Sequence, residues 1–413
     1  MATKRSQSIN VEEPIQKMDP VDQLKRAKKF IFNTGLNDIA NRLCVTNMTY
    51  GIAAIHYSLS ELDFPANATF IGSPDATITR NVYRWNAGIG YGGKLTWGSG
   101  KKKVVFLDVM PNTCGILIGG LEEAPSPDHL IQAVHNFNQK SLYLDDVKIE
   151  WDFAKGNHFV DVFRVERSDT NLPPYAFAIH GAAPELRKDR DDKYGLYWHQ
   201  SPILQELMTE ISTPFGKNHV ITGKDAIQYH RFCLDGNRFS ERRRELVADF
   251  IFGDYLVIAN KTHQGMTHLN EITLGTHNIA EDMDGLYPMA LRADLPAYLF
   301  RPIKNLSPEI IENLGFLKRA KRLGVYKRLI NANILPHGGG YTFPDLANVV
   351  KVIQEGNKRY FVLAMESDLG TKIIRNPREI QFSYRGRSVV LRTIELELGS
   401  IAAKLVPLYV VKI

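Results

Sequence analysis

The chain predicts an α+β fold with a β-rich core and a helical insertion, and three observations lead there. Apolar runs of strand length recur through the sequence. Three Ser-Pro pairs punctuate it as helix starts, and histidines sit in short phrases bearing glycine or asparagine at the ends of the strand-like runs. The first twenty residues are polar and hold Pro14 and Pro20, which predicts a loose arm over 1–20 ahead of one catalytic domain over 21–413. A helix follows across Val21 to Asn33, where Leu24, Ala27, Phe30 and Ile31 form an apolar stripe. Ser126-Pro127, Ser201-Pro202 and Ser307-Pro308 open later helices, because serine caps free amides and proline fits the first helical turn.

Strand-like runs lie at Lys103 to Val109, His158 to Val165, Ala176 to His180, Tyr255 to Ala259, Tyr360 to Met365, Val389 to Leu396 and Val406 to Val411. The last three lie close together and predict an antiparallel C-terminal sheet. Residues 185–253 are polar, charged and mostly helical in pattern, which predicts the insertion into the β-rich core.

At 413 residues and 44% hydrophobic content the chain can bury one large core or two to three smaller ones. Its 51 Lys+Arg against 45 Asp+Glu leave +6, which suits a polyanionic partner without requiring one. Cys44, Cys114 and Cys233 are odd in number and far apart, which argues against a disulfide framework. No apolar run approaches a membrane span, so the expectation is a soluble, cytoplasmic protein with no membrane partner.

The chemistry concentrates in an ordered series: Asp108, Cys114, His158, His180, His277 and His337. Imidazole, thiolate and carboxylate together suit a divalent transition metal, and glycine beside a ligand admits close approach. The series reads as a five-residue metal site plus one spare histidine. By ligand softness the ion is zinc. His263 and His268, near Gly265, are further candidates for phosphate or metal. Gly90-Tyr91-Gly92-Gly93-Lys94 lacks the spacing of a phosphate loop. Lys101 to Lys103 and Arg242 to Arg244 read as solvated charge, whereas the basic run from Lys318 to Arg328 predicts a helix that holds the phosphates of a polyanion.

Several phrases together resemble the RtcB-type RNA-splicing ligases. Gly156-Asn157-His158-Phe159-Val160-Asp161, Thr276-His277-Asn278-Ile279-Ala280 and His337-Gly338-Gly339-Gly340 follow that family's order. They are preceded by Gly72-Ser73-Pro74-Asp75-Ala76 and Ala87-Gly88-Ile89-Gly90-Tyr91-Gly92, and the chain ends on a similar strand carrying Lys412. The resemblance runs as islands from about residue 70 onward and implies an RtcB-like fold. It implies that Asp108, Cys114, His158, His180 and His277 hold two manganese ions, against the zinc expected from softness. It further implies that His337 carries guanylate from GTP, that Asn157, Gly338 and Gly339 lie along the nucleotide, and that Lys412 faces it.

The activity so implied is a ligase joining RNA 3′-phosphate or 2′,3′-cyclic phosphate ends to 5′-hydroxyl ends, as in tRNA splicing and RNA repair; the resemblance leaves any activating protein partner unnamed. The chain departs from the family by placing five residues between Asp108 and Cys114, Tyr341 after the glycines, and Leu291-Arg292-Ala293-Asp294 where a basic guanine-facing phrase is expected. Two other readings use the same residues. One is a metal-dependent phosphoesterase acting on RNA ends, and the other is a catalytically silent RNA-binding relative.

Overall fold

A computed structural model describes residues 14–154, 156–191, 193–367 and 370–412. Its centre is a mixed α/β arrangement around a seven-stranded sheet. In spatial order the strands are Leu256–Gln264, Cys114–Leu121, Tyr175–Gly181, Phe159–Ser168, Gly399–Val411, Ala297–Pro302 and Tyr287–Met289. Every neighbouring pair in it is antiparallel.

Successive side chains on a strand point to opposite faces, so each strand feeds two cores. Leu117, Phe177, Ile179, Val160 and Val162 enter the large core, while Ile116, Ile118, Ala176, Ala178 and Phe163 join a smaller cluster on the other face. Cys114 and His180 share the alternation of Ile116 and Ala178, so they stand at the end of the smaller cluster's face.

A second sheet runs in the order Ile31–Asn33, Thr69–Ile78, Gly90–Thr96, Glu271–Leu274 and Met266–His268. Only its first pair is parallel. The helix Ile39–Glu61 packs against it, with Leu43, Met48, Ile52, Ile55 and Leu59 all buried. Asp75 and Tyr91 lie on adjacent strands of this sheet, which brings them to the site described below.

All three Ser-Pro signals mark helix starts. Ser126, Ser201 and Ser307 each accept a hydrogen bond from the amide three residues on, opening Pro127–Gln139, Pro202–Leu207 and Pro308–Asn313. The first predicted helix is shorter than expected: it spans Pro20–Lys28, and Ile31–Asn33 turns into a strand beside Thr69–Ile78. Of the predicted arm, residues 1–13 lie outside the described residues, while Ile15–Lys17 form a 3-10 turn with Ile15 buried.

Residues 185–253 are less helical than predicted. They contain the hairpin Thr209–Thr213 and Gly216–Thr222 ahead of one 30-residue helix, Gly223–Phe252. That helix packs on the central sheet. Arg243 and Arg244 on it are fully buried, and Arg244 donates to the Gly181 carbonyl and to Asn260 on two strands of the central sheet. The expectation of three solvated arginines therefore holds only for Arg242, which pairs with Asp145 at the surface. A helix that lies along a sheet must turn consecutive residues to different surroundings, about 100° apart.

The C-terminal prediction also changes. Lys358–Met365 pairs with Leu346–Glu355 and Thr371–Ile374, whereas Gly399–Val411 enters the central sheet. Val389 to Leu396 is not a strand but lies largely within the helix Ser388–Glu395. Adjacent Val389 and Val390 are both buried with Thr393, while Leu391 is 66% exposed, a phase that alternation cannot produce. The helical phase predicts that Leu391→Glu leaves stability within about 0.5 kcal/mol, while Val390→Glu, which buries a charge, costs at least about 3 kcal/mol. Urea unfolding of the two variants checks this, and equal effects would contradict the helix.

Candidate functional site

Four of the chemistry-bearing residues gather where the central sheet ends. Antiparallel neighbours put the start of one strand beside the end of the next. Cys114 begins its strand, His180 nearly ends the neighbouring one, and His158 directly precedes Phe159, the register partner of His180. On the other side of Cys114, a β-bulge between Thr262 and Gln264 sets His263 and Gln264 together opposite it. A bulge of this kind re-aims a side chain at a sheet edge, and here it brings His263 into the group.

The donors converge through Sγ and Nε2. Cys114 Sγ lies 3.1 Å from His180 Nε2 and 3.6 Å from His158 Nε2, and His180 Nε2 lies 3.3 Å from His263 Nε2. Cys114, His180 and His263 form the group whose donor atoms are close enough to hold one metal ion. All three are buried, and His158 is at their edge.

The outer partners suit that role. His158 Nδ1 donates to Asp152 Oδ2 at 2.8 Å, and His180 Nδ1 donates to the Asn157 carbonyl at 2.8 Å, so both rings present Nε2 inward. Asp152 is held in turn by Arg243, which also pairs with Glu185 at 2.9 Å. One thiolate with imidazoles fits a borderline-soft divalent ion, and the buried, unpartnered Nδ1 of His263 is the one loose end in the set.

Charge is arranged accordingly. Burial opposes ionisation of Cys114, yet His180, His263 and His158 around it hold the thiol well below its ordinary range. Burial alone would lower His158, but the Cys114 thiolate and Asp152 raise it to about 9. His180 is lowered by burial, and His263 is pushed well below the usual histidine range by burial and by neighbouring His337. These surroundings favour a negative Cys114 beside a positive His158 and disfavour charge on His180 and His263.

Of the predicted ligand set, His158 stands at the edge of this group, and Asp108 and His277 lie outside it. Both carboxylate oxygens of Asp108 are engaged by His219, through its ring Nδ1 at 2.8 Å and its backbone amide at 2.7 Å. His277 lies next to the group, its ring centroid 5.6 Å from that of His263, but its Nε2 donates to the Pro288 carbonyl at 2.8 Å. Its Nδ1 is buried without a partner, and burial lowers its pKa to about 3. His263 takes the place expected of His277, and its only signal in the sequence was the phrase His263-Gln264-Gly265 at a strand end.

His337 borders the metal group, its ring centroid 4.2 Å from His263 and 5.6 Å from Tyr91. Its Nδ1 donates to buried Asp75 at 3.0 Å, which leaves the lone pair on Nε2. Asp75 is fixed by Ser73 and by Arg385, whose guanidinium donates to the Asp75 carbonyl. The three following glycines have a backbone reason. A Cβ at Gly338 would lie 2.4 Å from the Ala290 carbonyl, at Gly339 2.3 Å from the Arg385 carbonyl, and at Gly340 2.4 Å from the Asp75 carbonyl. They let three chain segments close around His337, a stronger constraint than the room for a ligand expected from sequence.

His158, His180 and His337 open onto one cleft of about 1050 Å³, at the upper end of the range for ligand pockets. Asn157, Gly338, Gly339 and Lys412 line it, as do Arg292 and Tyr341. Seven basic residues (Arg80, Arg84, Arg187, Lys188, Arg292, Arg378 and Lys412) face three acidic ones (Glu150, Asp152 and Asp161), a balance that attracts polyanions. None of Lys318 to Arg328 lines it. That run forms two short helices, and Arg319 and Arg328 are spent on the backbone carbonyls of Ile31 and Asn67. Lys94 of the glycine-rich stretch is buried against Glu271.

Lys412 donates to the His158 carbonyl and lies near Asp161. Burial raises Asp161 to about 7 against the pull of Lys412, and its Oδ1 is buried with no partner among the described residues. No helix among the described residues is long and apolar enough to cross a membrane. No known protein family matches the chain, and no curated protein is significantly similar to it.

Two outcomes test the metal centre. His263→Ala should strip most bound zinc or manganese from the purified protein, while Asp108→Ala should leave its content unchanged, as read by elemental analysis. Because the Cys114 thiolate is the main cause that raises His158 to about 9, a cation held by Cys114 should lower it again, and metal binding near neutral pH should release up to about one proton. The surrounding histidines hold the Cys114 thiol well below its ordinary range, so it contributes less. Calorimetry in buffers of different ionisation enthalpy should show this release fade above about pH 9 and change in His158→Ala, while Asp108→Ala leaves it as in the wild type.

Proposed function

We propose that the protein is an RNA-end ligase that joins a 3′-phosphate or 2′,3′-cyclic phosphate to a 5′-hydroxyl through a nucleotidyl–His337 intermediate. The observation that carries this reading is the Asp75–His337 pair: an imidazole with its lone pair on Nε2, oriented by a buried carboxylate and bordering both a metal-binding group and a basic cleft. An imidazole so held is a nucleophile.

In this reading His337 Nε2 attacks the α-phosphorus of GTP; the N–P bond forms and the bond to pyrophosphate breaks. The guanylate passes to the RNA 3′-phosphate, freeing His337, and the incoming 5′-hydroxyl displaces GMP. A divalent ion held by Cys114, His180 and His263, manganese by family resemblance or zinc by ligand softness, would supply charge neutralisation at the phosphoryl oxygens. Asn157, Gly338, Gly339 and Lys412 would lie along the nucleotide. Guanine fits the cleft's chemistry because Asp161 offers an acceptor for its N–H edge and Lys412 a donor for its O6.

Intact-mass measurement after incubation with metal and GTP should show the gain of one nucleoside monophosphate, absent from His337→Ala although that variant still binds metal. Asp75→Asn should lower adduct formation on the order of 10²–10⁴-fold by misorienting the ring. Asp161→Asn should weaken the preference for GTP over ATP by about tenfold or more. A metal-loaded protein that forms no adduct with any common nucleoside triphosphate, yet releases phosphate from RNA ends, would instead be a phosphoesterase. The metal-binding group serves that reaction without any nucleotide.

A further inference from the structure

One wall of the cleft is built from rings. Tyr83, on the short helix Val82–Asn86, stacks on His199 at 3.7 Å and 18°, and Trp198 meets Tyr83 edge-on at 6.0 Å. Trp198 stacks in turn on His219 at 3.7 Å, and His219 is the ring clamped by Asp108. The assembly is therefore buttressed from the interior outward, and it ends on a Tyr83 ring that remains 47% exposed while lining the cleft. His199 covers one face of that ring, so the exposed area belongs to the rest of it.

Cations stand beside these rings, and among the described residues Arg187, Lys188 and Arg80 make no ion pair, although Arg187 is near enough to Asp152 to help hold that carboxyl down. Arg187 lies over Tyr197 at 5.6 Å, and its Nε is buried with no hydrogen-bond partner. Arg80 sits over Phe382 at 4.0 Å. A rigid aromatic face interleaved with unpaired cations is the chemistry that holds single-stranded nucleic acid: bases stack on the ring and phosphates meet the cations. A base inside a duplex has both faces covered by its neighbours and cannot use such a wall.

We propose that the Tyr83–His199 wall is a stacking subsite for an unpaired base of the RNA strand, with Arg187 and Lys188 on the adjoining phosphates. This rests on reading the cleft as one that handles RNA ends. On that reading Asp161 and Lys412 meet the base of the triphosphate, which leaves Tyr83 to the second substrate.

The test is binding of a short single-stranded RNA 3′-phosphate to the metal-loaded full chain without nucleotide. The RNA carries 2-aminopurine at successive positions from its end. One position should be quenched by the wild type. Tyr83→Ala should lose that quenching and bind about tenfold or more weakly, while Tyr83→Phe should retain both. Lys188→Glu should weaken binding and flatten its salt dependence without abolishing the quenching.

Equal affinity of wild type and Tyr83→Ala for the single strand would overturn the proposal, as would equal binding of a blunt duplex. A loss of GTP affinity in Tyr83→Ala with RNA affinity intact would also overturn it, by assigning the ring to the triphosphate. The assay needs no ligation. A protein that never labels His337 but loses RNA on Tyr83→Ala would keep this subsite while the ligase reading fails, and the reverse pattern would separate the two equally well.

Discussion

Antiparallel pairing at one end of the seven-stranded sheet is the constraint on which the site depends. Because each strand runs opposite to its neighbours, the beginning of Cys114–Leu121 must lie beside the ends of Tyr175–Gly181 and Leu256–Gln264. Residues more than sixty positions apart in sequence become neighbours without any loop having to carry a ligand. Side-chain alternation then puts Cys114 and His180 on one face, and the bulge at His263 completes the group. Donor atoms mounted on paired strands are held in place by backbone hydrogen bonds, which keeps the geometry of the group fixed.

Holding those ligands requires charge to be buried, and the long helix supplies it. Arg243 is fully buried among Asp152, Glu185 and the Glu150 carbonyl, so one guanidinium orients the carboxylate that orients His158. Arg244 beside it fills the space over Gly115, where a Cβ would lie 2.6 Å from the guanidinium, and tethers the Gly181 and Asn260 strands. Removing one member of such a network strands the others without water, so the network ties the integrity of the metal group to the docking of the helix.

Much of this was legible in the sequence, and its limits are physical. Cys114, His158 and His180 were readable because glycine-flanked histidines at strand ends leave a local trace, and the three Ser-Pro caps were readable because capping acts over three residues. The exchange of His263 for His277 was not, since it depends on which strand pairs with Cys114–Leu121 across more than a hundred residues. Asp108 misled because a carboxylate near Cys114 in sequence faces His219 once Leu107–Val109 turns into a 3-10 helix. The run Arg242 to Arg244 looked solvated because composition carries no helical phase. Val389 to Leu396 looked like a strand because a short apolar run fits either period.

The same misplacement clarifies how the cleft is organised. Asp108 lies six residues ahead of Cys114 on the same stretch of chain, yet the two act in different directions: Cys114 faces the histidine group, while Asp108 fixes His219 beneath the ring wall that ends on Tyr83. One short segment therefore anchors both the centre able to hold a metal and the ring wall of the cleft. His337 is fixed from the opposite side, by Asp75 on the second sheet and by three glycines that admit the backbones of Ala290, Arg385 and Asp75. Backbone pairing fixes the groups within each sheet, and the buried Asp75–His337 hydrogen bond with the ring contact of His337 on His263 ties the two sets together. Their mutual distances are thus a property of the fold rather than of any ligand.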